Sequence, residues 1–214
     1  MLITYHGHAE FLIETANGYR ILTDPYDAKT GYPMRSVAAD AVTMSHSHAD
    51  HTEVSKVKGS PVLIREAGAR APAAGIHING IASWHDDAQG TKRGPNTCFF
   101  IQAEGLTIAH LGDLGEMPNE QLAEALKTAD LVLLPVGGHY TIDAEQAAAI
   151  VRASGARIAI PMHYRNNLGG YDVIATVDGF ADLMSPPAPS RQPLLRVTKE
   201  DLSEQPRCVI LDIV

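Results

Sequence analysis

Along LITYHGHAEFLIETANGYRILTDP, apolar and polar positions alternate through two runs parted by Asn17-Gly18, the dipeptide that most strongly marks a hairpin. The pattern predicts strand, strand, turn, strand. DAVTMSH is a further short apolar run, so the histidines at its end leave a strand's C-terminus and enter a loop. CFFIQ and LTIAHLGD, joined by Ala103-Glu104-Gly105, and then LVLLPVGG and RIAIPMHY, are apolar runs of strand length. NEQLAEALKTA reads as a helix capped by Asn119 after Pro118. AEQAAAIVRAS reads as a second, with Asp143 or Thr141 as the N-cap, Glu145 in the first turn and Gly155 as the stop. SPPAPSRQP predicts a surface loop or crossing segment before a last strand, CVILDIV. A strand-rich first half followed by strand and helix in alternation predicts a layered α/β domain.

Composition narrows the partners more than the fold. The chain of 214 residues is long enough to bury its own core as one domain, residues 1–214. Cys98 and Cys208 stand far apart in no metal-binding spacing, which predicts reduced, packed thiols in a cytoplasmic protein. MLITYHGHAEF lacks a basic stretch followed by an apolar one, and no window approaches a membrane span. The net charge of −8, with Lys and Arg scattered, disfavours a nucleic-acid partner. Two divalent ions would offset about half of that charge at their site. The expected partner is therefore a small molecule, anionic ones included, and a homo-oligomer is compatible with the sequence.

TMSHSHADHT, residues 43–52, concentrates His46, His48, Asp50 and His51 in six positions. In an extended segment His46 and His48 point to the same side, which makes a bidentate clamp. The chain must then turn, and Asp50 and His51 can offer an oxygen and a nitrogen to the same cavity. Without a metal, three partly buried imidazoles would each need another partner. Metal is the economical reading.

His-X-His-X-Asp-His after a strand resembles the signature of the metallo-β-lactamase superfamily. Asp24 in LTDP, His85 in ASWHDD, Asp113 in HLGDLG and His163 in IPMHY follow in the order of that family's remaining motifs. TYHGHA, the short length and PMHY look most like the UPF0173-type metal-dependent hydrolases, relatives of ascorbate-phosphate lactonase and N-acyl-phosphatidylethanolamine phospholipase D. The resemblance covers nearly the whole chain and implies a four-layer αββα sandwich with metals at strand ends between two sheets. It implies that His46, His48 and His85 bind a first ion, that Asp50, His51 and His163 bind a second, and that Asp113 bridges them. Three protein ligands and a shared carboxylate per ion leave a bridging position for water or hydroxide. Imidazole and carboxylate without thiolate suit zinc first and manganese second, with iron also compatible.

The same resemblance implies that Asp24 orients a ligand histidine from outside the metal shell, as a carboxylate behind an imidazole does. His110 competes with His85 for the first ion, but it lies three residues before Asp113 on a strand, where alternation sends the two to opposite faces. That leaves His110 behind the site or in the core. His6 and His8 share one face of the first strand, so both approach the site or both meet solvent, and the resemblance favours proximity for His8, behind the metal ligands. His139 and Tyr140, after LLPVGG, and Tyr164 and Arg165, after PMH, are substrate-contact candidates because they follow strand ends. Trp84 reads as packing.

The expected activity is hydrolysis of an ester, lactone or phosphodiester by a bridging hydroxide, with Asp50 also orienting the nucleophile or taking its proton. One rival keeps the fold as a mononuclear iron oxygenase acting on a persulfide, or as a di-iron oxidoreductase. The di-iron reductases carry Glu in place of the second histidine, which His48 does not match. The other rival is a non-catalytic regulatory protein that keeps a metal for stability, although a purely structural site needs only one closed ion.

Overall fold

The computed structural model describes residues 1–214. Its first half supplies β1 (Leu2–Gly7), β2 (Glu10–Glu14), β3 (Arg20–Thr23), β4 (Val37–Ala38), β5 (Ala41–Thr43), β6 (Val57–Lys58) and β7 (Val62–Ile64). The rest supplies β8 (Gly68–Ala73), β9 (Ile76–Trp84), β10 (Pro95–Ala103), β11 (Leu106–His110), β12 (Leu131–Pro135), β13 (Ile158–Met162), β14 (Ser190–Gln192), β15 (Leu195–Arg196) and β16 (Arg207–Leu211). The helices are α1 (Glu120–Leu126), α2 (Ala144–Ala153) and α3 (Asp178–Leu183).

Two sheets face each other. One has six strands in the order β15-β1-β2-β3-β5-β7, the other eight in the order β14-β16-β13-β12-β11-β10-β9-β8. The inward residues Ile3, Tyr5, Phe11, Ile13 and Ile21 of the first share one core with Phe99, Ile101, Ile108 and Leu133 of the second. β11, β12 and β13 run parallel and are buried along almost their whole length, because one face meets the core and the other is covered by helices. α2 buries Ala147, Ala148, Ile150 and Val151, and its start is fixed by a capping box between Asp143 and Gln146. Asn119 caps α1 as the sequence predicts.

The outer face of the six-stranded sheet is covered differently. Leu22, Val42 and Met44 pack beneath Val37, Ala39, Val54 and Val57, in a segment built of 3₁₀ turns and the short β4-β6 pair. The result is a layered α/β sandwich in which the ends of β1, β3 and β5 from one sheet meet the ends of β9, β11 and β13 from the other. No helix is long and apolar enough to cross a membrane.

Candidate metal centre

Three of the chemistry-bearing residues leave strand ends by a sharp change of backbone direction. His8, Asp24 and His163 adopt left-handed φ values of 54°, 36° and 51°. Such conformations are uncommon for residues other than glycine, and they concentrate where function over-determines the backbone. At His8 the cause is visible in the register. β1 shifts against β2 between Tyr5 and Gly7, and Gly7 sits at φ 117°, a conformation open to glycine alone at low cost. The shift overturns simple alternation. His6 pairs with Glu10 through Nδ1 at 2.8 Å, with Lys56 2.6 Å from the other Glu10 oxygen, while His8 swings to the rim between the sheets.

Two sets of donor atoms gather at that rim. The ligand atoms of His46, His48 and His85 lie within 4.8 Å of one another, and so do those of His8, His51 and His163. Asp113 stands between the sets. Its Oδ2 lies 3.3 Å from His51 Nε2, 3.3 Å from His85 Nε2, 3.2 Å from His163 Nε2 and 3.9 Å from His46 Nε2. Asp50 Oδ2 joins the second set, 3.2 Å from His8 Nε2 and 4.0 Å from His51 Nε2. His8 thus comes as near as the expected ligands, whereas the sequence places it behind them.

Asp24, His46 and His51 form a third close grouping. Its chemistry is that of a brace, because the Asp24 carboxylate is already occupied. It accepts the Ser45 N–H at 2.7 Å, the Ser45 hydroxyl and His51 Nδ1 at 2.8 Å, all buried. The Asp24–His51 bond fixes the ring with Nδ1 toward Asp24 and Nε2 aimed at Asp113. Asn96, absent from the sequence reading, accepts the Asp113 backbone N–H on Oδ1 at 3.0 Å and so fixes the turn after β11.

Burial and mutual charge set the protonation of these groups. Burial pushes His8 down to about 4 and His46 down to about 3, assisted by His163 in the first case and His51 in the second. For His51 burial also acts downward, yet the adjoining Asp113 and Asp24 carboxylates win and hold it well above the usual histidine range. Asp113 is held well below the carboxylate range: burial opposes this, and His163 and His51 overcome it.

The residues fit a divalent metal. Asp113 Oδ1 is buried without a hydrogen-bond partner, and the Nε2 atoms of His51, His85 and His163 converge on Oδ2 of the same carboxylate. Left to themselves, buried polar atoms so crowded would be costly. A cation supplies the missing partner.

Comparison with known proteins agrees. Residues 2–163 match the model of the beta-lactamase superfamily domain. A UPF0173 metal-dependent hydrolase of Pelotomaculum thermopropionicum is 34% identical over 196 residues, covering 77% of this chain and 84% of the relative. The chain belongs to this family of metal-dependent hydrolases. A second UPF0173 member, from Thermoplasma volcanium, is 31% identical over 198 residues, covering 80% of this chain and 85% of the relative. The crystal structure of a protein from Thermotoga maritima, described as a Zn-dependent hydrolase of the metallo-β-lactamase superfamily, superposes with a TM-score of 0.80 at 32% identity, covering 98% of this chain and 97% of that one. An isothiocyanate hydrolase from Delia radicum gut bacteria shares the fold alone, with a TM-score of 0.69 at 15% identity over 100% of this chain and 97% of that one.

In this member of the family the donor sets open onto a cavity of about 390 Å³, lined by His48, Asp50, His85, Asp113 and His163 together with Arg93, Tyr140 and Tyr171. Tyr140 is thus where the sequence expects a substrate contact. His139 corrects the expectation: its side chain is exposed outside the lining, and only its carbonyl serves the site, accepting from Arg93 at 3.2 Å. Tyr164 and Arg165 are corrected too. The left-handed turn at His163 sends Tyr164 into the core beside Tyr5, and Arg165 donates from Nε to the Ile174 carbonyl, both along a different cavity. His110 contributes no atom to either donor set, and its Nε2 lies 2.9 Å from the Ala9 carbonyl. Arg93 and Tyr171 escape the sequence reading because neither belongs to a periodic element or follows a strand end. Cys98 and Cys208 are buried, with thiols pushed up to about 12, and take no part.

Proposed function

We propose that this chain is a dinuclear metal hydrolase acting on a small ester, lactone or phosphodiester. His46, His48 and His85 would hold one ion, and Asp50, His51 and His163 the other, with Asp113 shared. The observation that carries the reading is Asp113 Oδ2, within 3.3 Å of His85 from the first set and of His51 and His163 from the second. Zinc is the first expectation and manganese the second, since the donors are imidazole and carboxylate. Bound there, such ions supply an ionised water as nucleophile and a Lewis acid for the carbonyl or phosphoryl oxygen.

The protein's own contribution is orientation and proton control. Tyr171 donates its hydroxyl to Asp50 Oδ2 at 3.0 Å, and His8 Nε2 approaches the same oxygen at 3.2 Å. Asp50 is therefore fixed in rotamer and held ionised, ready to orient the attacking water or accept its proton. Burial alone would raise its pKa, but the His8 hydrogen bond and the His51 charge lower it. Tyr171 keeps its own proton, because burial and the neighbouring Asp50 charge raise its pKa. All eight residues of the cavity wall named above are polar or aromatic, which suits a small polar substrate held by few convergent groups.

The test is to strip the protein with chelator, restore zinc or manganese, and count ions by elemental analysis. Turnover of a panel of p-nitrophenyl esters, lactones and bis-p-nitrophenyl phosphate is followed alongside. Two ions per chain and metal-dependent hydrolysis are expected. Iron with oxygen consumption would replace the reading by an oxygenase, and two bound ions with no turnover across the panel would replace it by a regulatory protein.

A further inference from the structure

The cavity wall holds one permanent cation, Arg93, and the chain builds an elaborate loop to place it. Asp86, next to His85, is buried, and its carboxylate serves as the hub of residues 86–93. Oδ1 accepts the N–H groups of Ala88 at 2.8 Å and Gly90 at 3.0 Å, while Oδ2 accepts those of Lys92 at 3.0 Å and Arg93 at 2.7 Å. Gly90, at φ 78°, closes the loop against Trp84, whose ring lies 2.5 Å from where a Cβ would be. Four backbone donors on one carboxylate fix the path of the loop up to the backbone of Arg93 itself.

The guanidinium is then held at its far end. Nη2 donates to the His139 carbonyl at 3.2 Å, and Cζ lies 5.4 Å from the centre of the Tyr140 ring. A guanidinium carries five N–H donors, and the remaining four have no protein acceptor. No carboxylate lies within ion-pair distance of Arg93, although Asp87 pairs with the neighbouring Lys92 at 2.6 Å. An arginine on a protein rim is ordinarily a mobile, solvated charge. This one is oriented by its loop, a carbonyl and an aromatic face, with its fork left open in the cavity that contains the donor sets.

The geometry points to Arg93, seated on Tyr140, as the recognition group for an oxyanion, carboxylate or phosphate, carried by the substrate away from the bond that is cleaved. The inference rests on the hydrolase reading and narrows it to small esters or lactones bearing a second, anionic group. The bidentate fork matches either oxyanion. The uncharged phenol of Tyr171 leaves room for one anionic end at Arg93 and the scissile end at the donor sets.

The experiment compares mono-p-nitrophenyl adipate with p-nitrophenyl hexanoate, which share leaving group and chain length and differ in the distal carboxylate. The zinc-loaded and manganese-loaded protein should prefer the adipate ester by about 10-fold or more in kcat/KM, the worth of one charge-assisted contact. The ratio should fall to about 1 in Arg93→Gln. Arg93→Lys keeps the charge without the fork and should retain part of the preference, which separates recognition from a collapsed loop. Calorimetric binding of adipate, 5-phosphonopentanoate and hexanoate to the same proteins reads the subsite without turnover, and the tighter dianion identifies the oxyanion. Hydrolysis of both esters with a ratio unchanged in Arg93→Gln would overturn the subsite and leave the hydrolase standing. Dianion preference in binding that is lost in Arg93→Gln, with neither ester cleaved, would keep the subsite and overturn the hydrolase. Equal binding of dianions and hexanoate to the unaltered protein would also overturn the subsite.

Discussion

The two donor sets use the same kinds of side chain and differ in burial and in how directly a carboxylate backs them. His51, His163 and His8 are wholly buried: Asp24 clamps His51 Nδ1 at 2.8 Å, and the His163 backbone N–H donates to the His8 carbonyl at 2.7 Å, tying one sheet to the other, while the Nδ1 atoms of His8 and His163 have no hydrogen-bond partner. Asp50 beside them is gripped by Tyr171 and His8. In the other set His48 is exposed, and its Nδ1 has only His46 Nε2 at 3.0 Å as a side-chain partner. His85 has an unpartnered Nδ1, as His8 and His163 do, and His46 Nδ1 meets the Ser45 hydroxyl at 2.9 Å. Outer partners are worth roughly 10- to 100-fold in metal affinity. If each set holds an ion as proposed, the first equivalent lost to a chelator should come from the set that contains the exposed His48, and the last from the set backed directly by Asp24.

The largest effect should follow from removing the group that both sets share. Asp113→Ala takes away the oxygen on which His51, His85 and His163 converge, so elemental analysis should find both ions depleted and kcat/KM lowered by ~10³-fold or more. Two tightly bound ions in this variant would dissolve the contrast, because each set would then be complete by itself.

The second expectation concerns the metal-free protein. Histidine titrates near 6.5 in the unfolded chain, whereas folded His8 and His46 are pushed down to about 4 and about 3. Between pH 6.5 and 4 the unfolded state therefore binds more protons than the folded one, and stability falls as pH falls. From pH 6.5 to 5 the loss should be on the order of 2 kcal/mol for each of the two. His51 has the opposite sign. Its raised folded pKa gives stability that is complete below about 6.5 and declines as pH rises through the folded value, so it does not cancel the loss in the lower window. Urea midpoints in chelator at pH 6.5, 5.7 and 5.0 give the slope, and a flat profile would mean that these rings accept protons freely in the fold.

A smaller and more selective effect is expected from Asp24→Asn. The amide still accepts from Ser45 but loses the charge behind His51, so the tightly held equivalent should weaken by ~10- to 100-fold in chelator competition while the other weakens less, because Asp24 reaches His46 only through the Ser45 hydroxyl. Equal weakening of both would show that the sets are one mechanical unit.

The contrast between the sets is also a contrast in what a sequence can disclose. His46, His48, Asp50 and His51 are legible because four ligand types fall in six positions at a strand end, and His85, Asp113 and His163 follow apolar runs or strand ends in the expected order. Of the bracing, Asp24 behind a ligand histidine follows from the resemblance, and the rest is not legible in that way. His8 reaches Asp50 only because the register slips at Gly7, which period-two reasoning cannot foresee. Arg93 is aimed by the Asp86 turn and Tyr171 follows Gly170 at φ 101°, both products of tertiary packing. The same limit applies to the fold. The hairpins and helices with caps are plain in the pattern, but β9 carries Asn79-Gly80, a turn dipeptide elsewhere, mid-strand opposite Phe100 and Phe99. Cross-strand pairing overrides local preference there.

Tyr171→Phe should have the smallest effect and separates bracing from chemistry within the buried set. The substitution removes one hydroxyl, 3.0 Å from Asp50 Oδ2, and leaves the ring that lies edge-on to His8 with centroids 5.8 Å apart. A hydrogen bond to a charged acceptor contributes about 1.5–3 kcal/mol when desolvated, but Tyr171 is only half buried and water can take the vacant place. The net loss should be nearer 1 kcal/mol, or roughly 3- to 10-fold. If Tyr171 only orients Asp50 as a ligand, the loss appears in the affinity of the tightly held ion and is recovered at saturating metal. If it holds Asp50 ionised and aligned for the attacking water, kcat stays low at saturating metal, and the acid limb of the kcat profile moves to higher pH because the lost hydrogen bond had favoured the carboxylate. The proposed role of Asp50 requires the second pattern. Full recovery of kcat with an unmoved limb would reduce Tyr171 to a wall of the cavity and Asp50 to a ligand.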